Sequence, residues 1–580
     1  MSLPKSVGSW LLFLLGLLFI GVAAFIDHSQ YQTILQLEKG TDLEWGPALF
    51  RGLMLLHGTV LIAVVLLRAR FEDPVRATDE NESPNFSLSR AEVVFLLVLT
   101  LVATALRIPN LDSPLWVDEV LTLVDFVRAP WGEVISSFPN QNQHMLYTIS
   151  AKISSTVFGE SAWSVRLPAV LFGVGSLWAL YLLCRKLIGV PAAMLGSVLM
   201  MVSYHHVWFS QNARGYTGLL LFSILATWIW LEALERGSWK LWVVYSLLVA
   251  FGMWVHMTMA FVLAGHGAAF LAGLFLESFR IGRHYLQQDG LRRAFVKPVV
   301  AWLIAVSVTL QLYALALPEF FAAALHEESR NSIWTDPSWV VGEIVRAFDI
   351  GAGGIIVVSA GLAFLGLGLA SLFRKNRHAA ILMVFSPFVS GAVMLMAGHN
   401  LFPRFFFFAA GFAILIVLEG ASVVAGLAAR AVGIVYSNEQ LPSLMWAALI
   451  VLMILVSSTT VPKNYYLPKQ DFPSAYDYVE ENRADGDEVV AVSIAGNMYS
   501  KYFGPDWLQA ENVEDLKKIQ TEHKKLWLVY TLSPEIKAFH PEMWKIIESD
   551  YVVVMSFPGT LNGGEVVVSR RQDEGDNERK

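Results

Sequence analysis

Cysteine and charge are the two scarce commodities of this 580-residue chain. It holds a single cysteine, Cys184, which excludes an internal disulfide framework and a thiolate metal cluster. Only 16% of the residues are charged, against roughly 25% in a soluble domain. Asp and Glu outnumber Lys and Arg by 49 to 42, for a formal net charge of -7, so no basic excess invites a nucleic acid. In place of charge there is apolar surface: 55% of the chain is hydrophobic. A polytopic α-helical membrane protein with lipids as its immediate partners is expected.

Apolar stretches of about 17–25 residues, the length needed to cross a bilayer, fall near 8–26, 48–68, 92–108, 163–184, 190–208, 216–234, 239–256, 258–276, 297–317, 353–373, 379–398, 405–429 and 443–461. That gives about thirteen transmembrane helices. The first has Lys5 ahead of it and small residues from Gly21 to Ala24, as a secretory signal would. Its apolar core exceeds the usual run of roughly 7–15 residues, so an uncleaved span is expected. Alternate loops carry the basic residues, among them Arg68, Arg70, Arg185, Lys186, Arg236, Lys240, Arg283, Lys297, Arg374 and Lys375. By the positive-inside rule these loops face the cytoplasm. The loops at 27–47, 109–162, 318–352 and 399–404 then lie outside, and with an odd number of spans so does the C-terminal tail.

Three regions follow: residues 1–91, two N-terminal spans and a cytoplasmic linker; 92–462, the main transmembrane body; and 463–580, a soluble α/β domain. In the last, strand patterns at 488–494, 525–532, 551–557 and 564–569 alternate with helical ones at 474–483, 513–523 and 541–550. No Gly-rich phosphate fingerprint or catalytic motif stands out there. Support, docking or recognition is the expected role.

The stretch Ser113-Pro-Leu-Trp-Val-Asp-Glu-Val120 sets two carboxylates, Asp118 and Glu119, in an apolar run directly after a span. The segment 118–158 has the spacing of two amphipathic helices lying along the outer membrane interface. Both carboxylates then sit at a helix N-terminus. Dipole complementarity and capping explain them without function. Other polar residues gather at the same outer ends, however: Arg107, His144, Arg166, the run His205, His206, Ser210, Arg214 and Tyr216, and the trio His399, Asn400 and Arg404. Any single arginine there also reads as a side chain snorkelling to lipid phosphates. Charged groups at span ends on the side otherwise poor in basic residues point, as a set, to a polar site.

The order Arg107, Leu115-Trp116-x-Asp118-Glu119, Asn142-Gln-His-Met-Leu-Tyr147, Arg166-Leu-Pro-Ala-Val-Leu-Phe-Gly-Val-Gly-Ser176, Ser210-Gln-Asn-Ala-Arg-Gly-Tyr216 and Pro403-Arg-Phe-Phe-Phe-Phe-Ala-Ala-Gly411 resembles the GT-C superfamily of membrane glycosyltransferases. The likeness is to the branch of protein O-mannosyltransferases and lipid A aminoarabinose transferases (glycosyltransferase 39/83-like), over roughly residues 92–430. Two departures stand out. Many relatives read His-Pro-Pro-Leu where this chain has His144-Met145-Leu146, and Arg-Tyr where it has Arg404-Phe405.

The resemblance implies transfer of a sugar from a polyprenyl-phosphate donor to a hydroxyl-bearing or similar acceptor, whether protein, lipid or glycan, on the extracytoplasmic face. A bacterial inner-membrane location is expected. Such transfer needs a base for the acceptor and cations for the departing phosphate. Asp118 is the candidate base. Glu119 points about 100° away on a helix and is assigned to orienting Asp118 or a neighbouring arginine. Arg214 and Arg404 are phosphate candidates from position, and Arg107 and Arg166 from position and resemblance; His144, Tyr216 and His399 complete the candidate substrate site. A single base implies one inverting displacement, in keeping with the GT-C family. No cofactor is assigned, and a divalent metal stays open because some GT-C relatives use one. The adjacent pair His205-His206 lacks the i, i+4 spacing of a helical metal site. Trp334 and Trp339 in the outer loop 318–352 read either as a lid that stacks on sugar or as interface anchors. A flippase of lipid-linked sugars and a non-catalytic scaffold of the same fold remain as alternatives. The first would show inverted repeats and mid-span charges, which the sequence lacks; the second would lose Asp118.

Overall fold

The computed structural model describes residues 6–37, 43–71, 87–275, 280–326, 338–339, 341–343, 355–398, 401–433, 439–561 and 563–572. Each of the thirteen apolar stretches coincides with helix, from Val7–Phe25 through Leu441–Ser458. Among the described residues, eight helices are long and apolar enough to cross a membrane. A ninth crossing results if Val190–Met201 and Tyr204–Ser210, bent by 64°, are taken as one. Others are shorter, such as Arg90–Ala105, Trp239–Val255 and Met259–Phe275. The proposed lid at 318–352 and Trp334 fall largely or wholly outside the described residues, as does His399. Trp339 packs edge-on against Phe402, with ring centroids 6.3 Å apart.

Lipid gives helices little hydrophobic reason to associate, so close packing of small residues does more of the work. Helices Ile355–Lys375 and Ala410–Gly433 cross with their backbones in contact. A Cβ at Gly368 would stand 1.8 Å from the Ile416 carbonyl oxygen, and one at Gly420 would stand 2.0 Å from that of Phe364. The same device joins the first two long helices, where a Cβ at Gly58 would lie 2.7 Å from the Gly16 carbonyl oxygen.

The segment after the Arg90–Ala105 helix departs from the expected pair of interfacial helices. Its first helical pattern divides into Val117–Leu121, a π turn at Thr122–Val127, and Trp131–Ser136. The break falls at Pro130, which has no N–H to continue the ladder and caps the next piece instead. Met145–Phe158 forms the second helix.

The C-terminal domain is a five-stranded sheet with helices. Its strands are β1 (Glu488–Val492), β2 (Leu508–Ala510), β3 (Leu526–Tyr530), β4 (Tyr551–Phe557) and β5 (Val566–Arg571), in the order β2-β1-β3-β5-β4. β1 runs parallel to β2 and β3, and β5 antiparallel to β3 and β4. β3 is buried along its whole length, the mark of a central strand covered on both faces. One cover is the membrane body. Trp116, Val117, Val120 and Leu123 share a core with Phe472, Val489, Trp527, Val529 and Val566. An ion pair from Lys501 to Asp125 at 3.1 Å adds to the seam.

Gly420→Val tests the helix crossing. The new side chain meets a backbone carbonyl that yields only if two helices part, so stability should fall by about 1–3 kcal/mol. Gly426→Ala on the same helix, where a Cβ meets nothing within 4 Å, should leave the thermal midpoint in detergent unchanged.

Candidate functional site

A loop with no regular hydrogen bonding of its own leads into Asp118, and it is fixed from outside. Arg166 donates from Nη1 to the carbonyls of Leu111 and Ser113 at 2.9 and 2.7 Å, and from Nη2 to that of Pro114 at 3.1 Å. It spends its remaining donors on Glu119: Nε to Oε1 at 2.8 Å and Nη2 to Oε2 at 2.5 Å. Both side chains are completely buried. Glu119 also accepts from the backbone N–H of Ala213 at 2.6 Å and of Trp116 at 3.3 Å. Burial works against its charge, but the Arg166 guanidinium and then the Lys469 ammonium, 3.8 Å away, reverse the balance and hold its carboxyl below the usual range. Glu119 thus joins the helix at 117–121 to the helix of Arg166, the turn at 213 and the C-terminal tail.

Arg107 is engaged through its two Nη groups, while its Nε is buried without a partner. Its Nη1 donates to the Ala103 carbonyl at 2.7 Å. Its Nη2 reaches the Met201 carbonyl at 3.4 Å and His206 Nδ1 at 2.5 Å. Met201 ends the helix before the 64° bend, where carbonyls lose their helical partners. Arg107 therefore closes the bend. His206 continues to Ser176 Oγ at 2.9 Å and His205 stacks edge-on with Tyr204. Among the described residues no three His, Cys, Asp or Glu side chains gather around a metal position.

With Glu119 turned inward to Arg166, Asp118 faces the other way. It is 9% exposed, and its Oδ2 is buried without a hydrogen bond. Arg404 Nη1 stands 3.4 Å from that oxygen, an ion pair without hydrogen-bond alignment. The Arg404 guanidinium lies over the rings of Phe402 and Phe405, 4.3 and 5.8 Å from their centroids, and its Nε has no partner.

Arg214 approaches from the turn after Ser210. Its Nη1 donates to Thr122 Oγ1 at 3.0 Å and to the Asn142 carbonyl at 2.8 Å, while its Nε is buried and unpartnered. Its Nη2 lies 3.3 Å from His144 Nε2. That contact is not a hydrogen bond. The Gly215 N–H donates to His144 Nδ1 at 2.8 Å, so Nδ1 carries the lone pair and a neutral ring has its proton on Nε2. Burial, followed by the charge of Arg214, keeps His144 far below the ordinary histidine range and therefore neutral. Two N–H donors then face each other across 3.3 Å, both short of an acceptor. Tyr216 and His256 wall this space: the His144 ring lies 5.5 Å from Tyr216 and 4.6 Å from His256.

Of the expected site residues, the structure thus brings Asp118, His144, Arg214, Tyr216 and Arg404 together, and places Glu119, Arg166 and Arg107 in the frame around them. It adds residues that no motif signalled. Lys469 points at Glu119 and donates to the Gln211 carbonyl; burial, then the Arg166 charge, push its ammonium down to about 7. Gln470 accepts from the Val117 N–H at 3.1 Å. His256 sits at the end of an apolar helix.

Residues 145–283 match the family of dolichyl-phosphate-mannose-protein mannosyltransferases. A segment is 29% identical over 175 residues to the Bacillus subtilis protein named "Putative mannosyltransferase YkcB", covering 28% of this chain and 23% of that one; the match spans about a quarter of that relative. Among solved structures, ArnT from Cupriavidus metallidurans is 12% identical with a TM-score of 0.46, over 82% of this chain and 97% of that one. The Archaeoglobus fulgidus oligosaccharyltransferase AglB, in complex with an inhibitory peptide and a dolichol-phosphate, is 11% identical with a TM-score of 0.47, over 82% and 74%. The fold is that of a polytopic helical membrane protein with a C-terminal α/β domain. On the family match and the Bacillus relative, the chain is similar to the GT-C glycosyltransferases, as its motifs indicate.

Glu119→Gln removes the charge that compensates the buried Arg166. A loss of about 3–5 kcal/mol is expected, visible as a collapse of the monodisperse fraction in detergent. Asp118→Asn replaces a partly exposed carboxylate whose Oδ2 has no hydrogen bond and whose ion pair with Arg404 is long, at 3.4 Å, with a neutral side chain of its shape, and should leave that fraction intact.

Proposed function

We propose that the protein is a membrane glycosyltransferase that moves a sugar from a polyprenyl-phosphate donor to a hydroxyl-bearing or similar acceptor on the extracytoplasmic face, in one inverting displacement. One observation carries this reading. The Nε groups of Arg214 and Arg404 are buried without partners, and the His144 Nε2–H and Arg214 Nη2 donors meet without an acceptor. All belong to the cluster beside Asp118, whose Oδ2 also lacks a hydrogen bond. Unsatisfied buried donors cost about 1–3 kcal/mol each; an anion that accepts from several of them removes that cost. A phosphate suits the planar forks of two arginines, and the family match to enzymes named for dolichyl-phosphate-mannose supports a lipid-linked one.

In the reaction, Asp118 takes the proton of the acceptor hydroxyl as its oxygen attacks the anomeric carbon. The bond from that carbon to the phosphate oxygen breaks, and the electron pair stays on the phosphate. Arg214, Arg404 and His144 donate to the oxygens where this charge grows. Neutral His144 donates without adding charge. Glu119 has both oxygens engaged by Arg166 and Ala213, so it is not free to form a glycosyl ester, and one base serves an inverting attack. The acceptor is a protein, lipid or glycan group presented from outside, with the bacterial inner membrane as the setting.

Asp118→Asn should reduce transfer by about 10²–10⁴-fold, the usual worth of a general base, with the folded yield unchanged. Near-normal turnover with a polyprenyl-phosphate sugar would remove Asp118 from this role. Anomeric couplings in the proton NMR spectrum of the product, against a donor of defined configuration, should show inversion; retention would call for a covalent intermediate.

The sidedness is tested separately. In a Cys184→Ala background, Lys518→Cys on the exposed C-terminal domain should react with an impermeant maleimide in intact spheroplasts. Labelling only after permeabilisation would put the domain and the site on the cytoplasmic side.

A further inference from the structure

The helix that carries Asp118 is capped by a residue from a distant part of the chain. A helix leaves its first N–H groups without partners, and a Ser, Thr, Asp or Asn side chain at the capping position normally takes one of them. In Val117–Leu121 that position falls to Trp116, whose side chain makes no cap. Its indole offers a donor and no acceptor, and donates to Asn212 Oδ1 at 3.1 Å. The Glu119 and Val120 N–H groups turn back to the Trp116 carbonyl. The Val117 N–H, one residue before Asp118, goes instead to Gln470 Oε1 at 3.1 Å.

Gln470 is completely buried, and its neighbours fix the orientation of its amide. Oε1 faces the Val117 donor, and Nε2 donates to Thr531 Oγ1 at 2.9 Å and to the Gly564 carbonyl at 3.1 Å. One side chain thus ties the C-terminal domain to the start of this helix. It lies four residues beyond the Tyr466 that ends the last apolar segment. The stretch before it is held too: the Thr560 and Leu561 N–H groups donate to the carbonyls of Pro468 and Lys469 at 2.9 and 3.1 Å. A second link, Lys501 to Asp125 at 3.1 Å, joins the domain to the π turn, but its two side chains are 40% and 26% exposed. Exposed ion pairs contribute little, whereas loss of a buried amide leaves its former partners buried and unpaired.

We propose that Gln470 is a positioning residue for the transfer reaction: it caps the Asp118 helix from the C-terminal domain, so that alignment of the base depends on that domain. The inference rests on reading Asp118 as the base. Without the Gln470 acceptor the Val117 N–H is left buried and unpaired, and a helix of 5 residues is too short to hold its first turn unaided. A base displaced by about 1 Å costs of order 10²-fold in rate. Arg214 and His144 take their bonds from Thr122, Asn142 and the Gly215 N–H, none of them a partner of Gln470, so donor binding is spared.

Amide hydrogen exchange of the purified full-length protein, together with turnover in membranes from cells expressing it, tests this. Gln470→Leu should raise exchange in the segment 115–121 and leave the strands of the C-terminal sheet protected. Turnover is read as release of undecaprenyl phosphate from undecaprenyl-phosphate mannose. It should fall roughly 10- to 100-fold in kcat, with KM for the donor within about two-fold of native. Thr531→Val removes one of the groups that hold the Gln470 amide; it should act in the same direction more weakly, and it carries the test if Gln470→Leu does not fold. Lys501→Ala should change neither readout. Joined to Asp118→Asn, Gln470→Leu should bring no further loss, since no base remains to be aligned. Unchanged exchange in both variants, or raised exchange with native kcat, overturns the role of Gln470. A loss that falls on KM, or that multiplies with that of Asp118→Asn, also overturns it, since the damage is then general. No release by the native protein, or normal release by Asp118→Asn, overturns the transferase reading on which this one rests; the exchange data still report whether Gln470 holds the helix.

Discussion

The site depends on one ion pair that does no chemistry. Glu119 and Arg166 meet with both side chains completely buried, where an isolated charge costs several kcal/mol and a pair persists only if its remaining hydrogen-bonding capacity is filled. It is filled here by the three loop carbonyls on Arg166 and the Ala213 and Trp116 N–H groups on Glu119. Loop, turn and two helices thereby become one unit. Because neighbouring residues on a helix diverge by about 100°, fixing Glu119 inward also fixes Asp118 outward, towards Arg404.

Around Asp118 the logic reverses. The Glu119–Arg166 pair has its hydrogen-bonding capacity filled, yet the pocket keeps several donors unpaired: Arg214 Nε, Arg404 Nε and the opposed His144 and Arg214 groups. Proteins tolerate such violations of local satisfaction mainly at functional sites. The neutral state of His144 makes the arrangement tenable, since a third cation beside two arginines would repel both.

The C-terminal domain belongs to this arrangement. Its core is continuous with the residues flanking Asp118, and Lys469 and Gln470 enter the frame directly. A small α/β domain thus closes one side of a site made by membrane helices and their connections.

Helix positions were legible in the sequence because apolar length is a one-dimensional property: all thirteen stretches are helical. The adjacent carboxylates and the polar groups at span ends were legible as a set, from their common place at helix ends. Strands as short as Leu508–Ala510 and helices as short as Ser533–Phe539 leave no periodic signal, and Pro130 divides a pattern that reads as one helix. Which arginine carries which job was beyond the sequence. Arg107, Arg166, Arg214 and Arg404 look alike at the ends of spans, but Arg166 is engaged by Glu119 and three loop carbonyls and Arg107 by the carbonyls of Ala103 and Met201, whereas Arg404 stands beside Asp118 and Arg214 beside His144. These assignments, and the approach of Lys469 and Gln470 from more than 300 residues away, come from packing in three dimensions, which a linear pattern of apolar and charged residues does not encode.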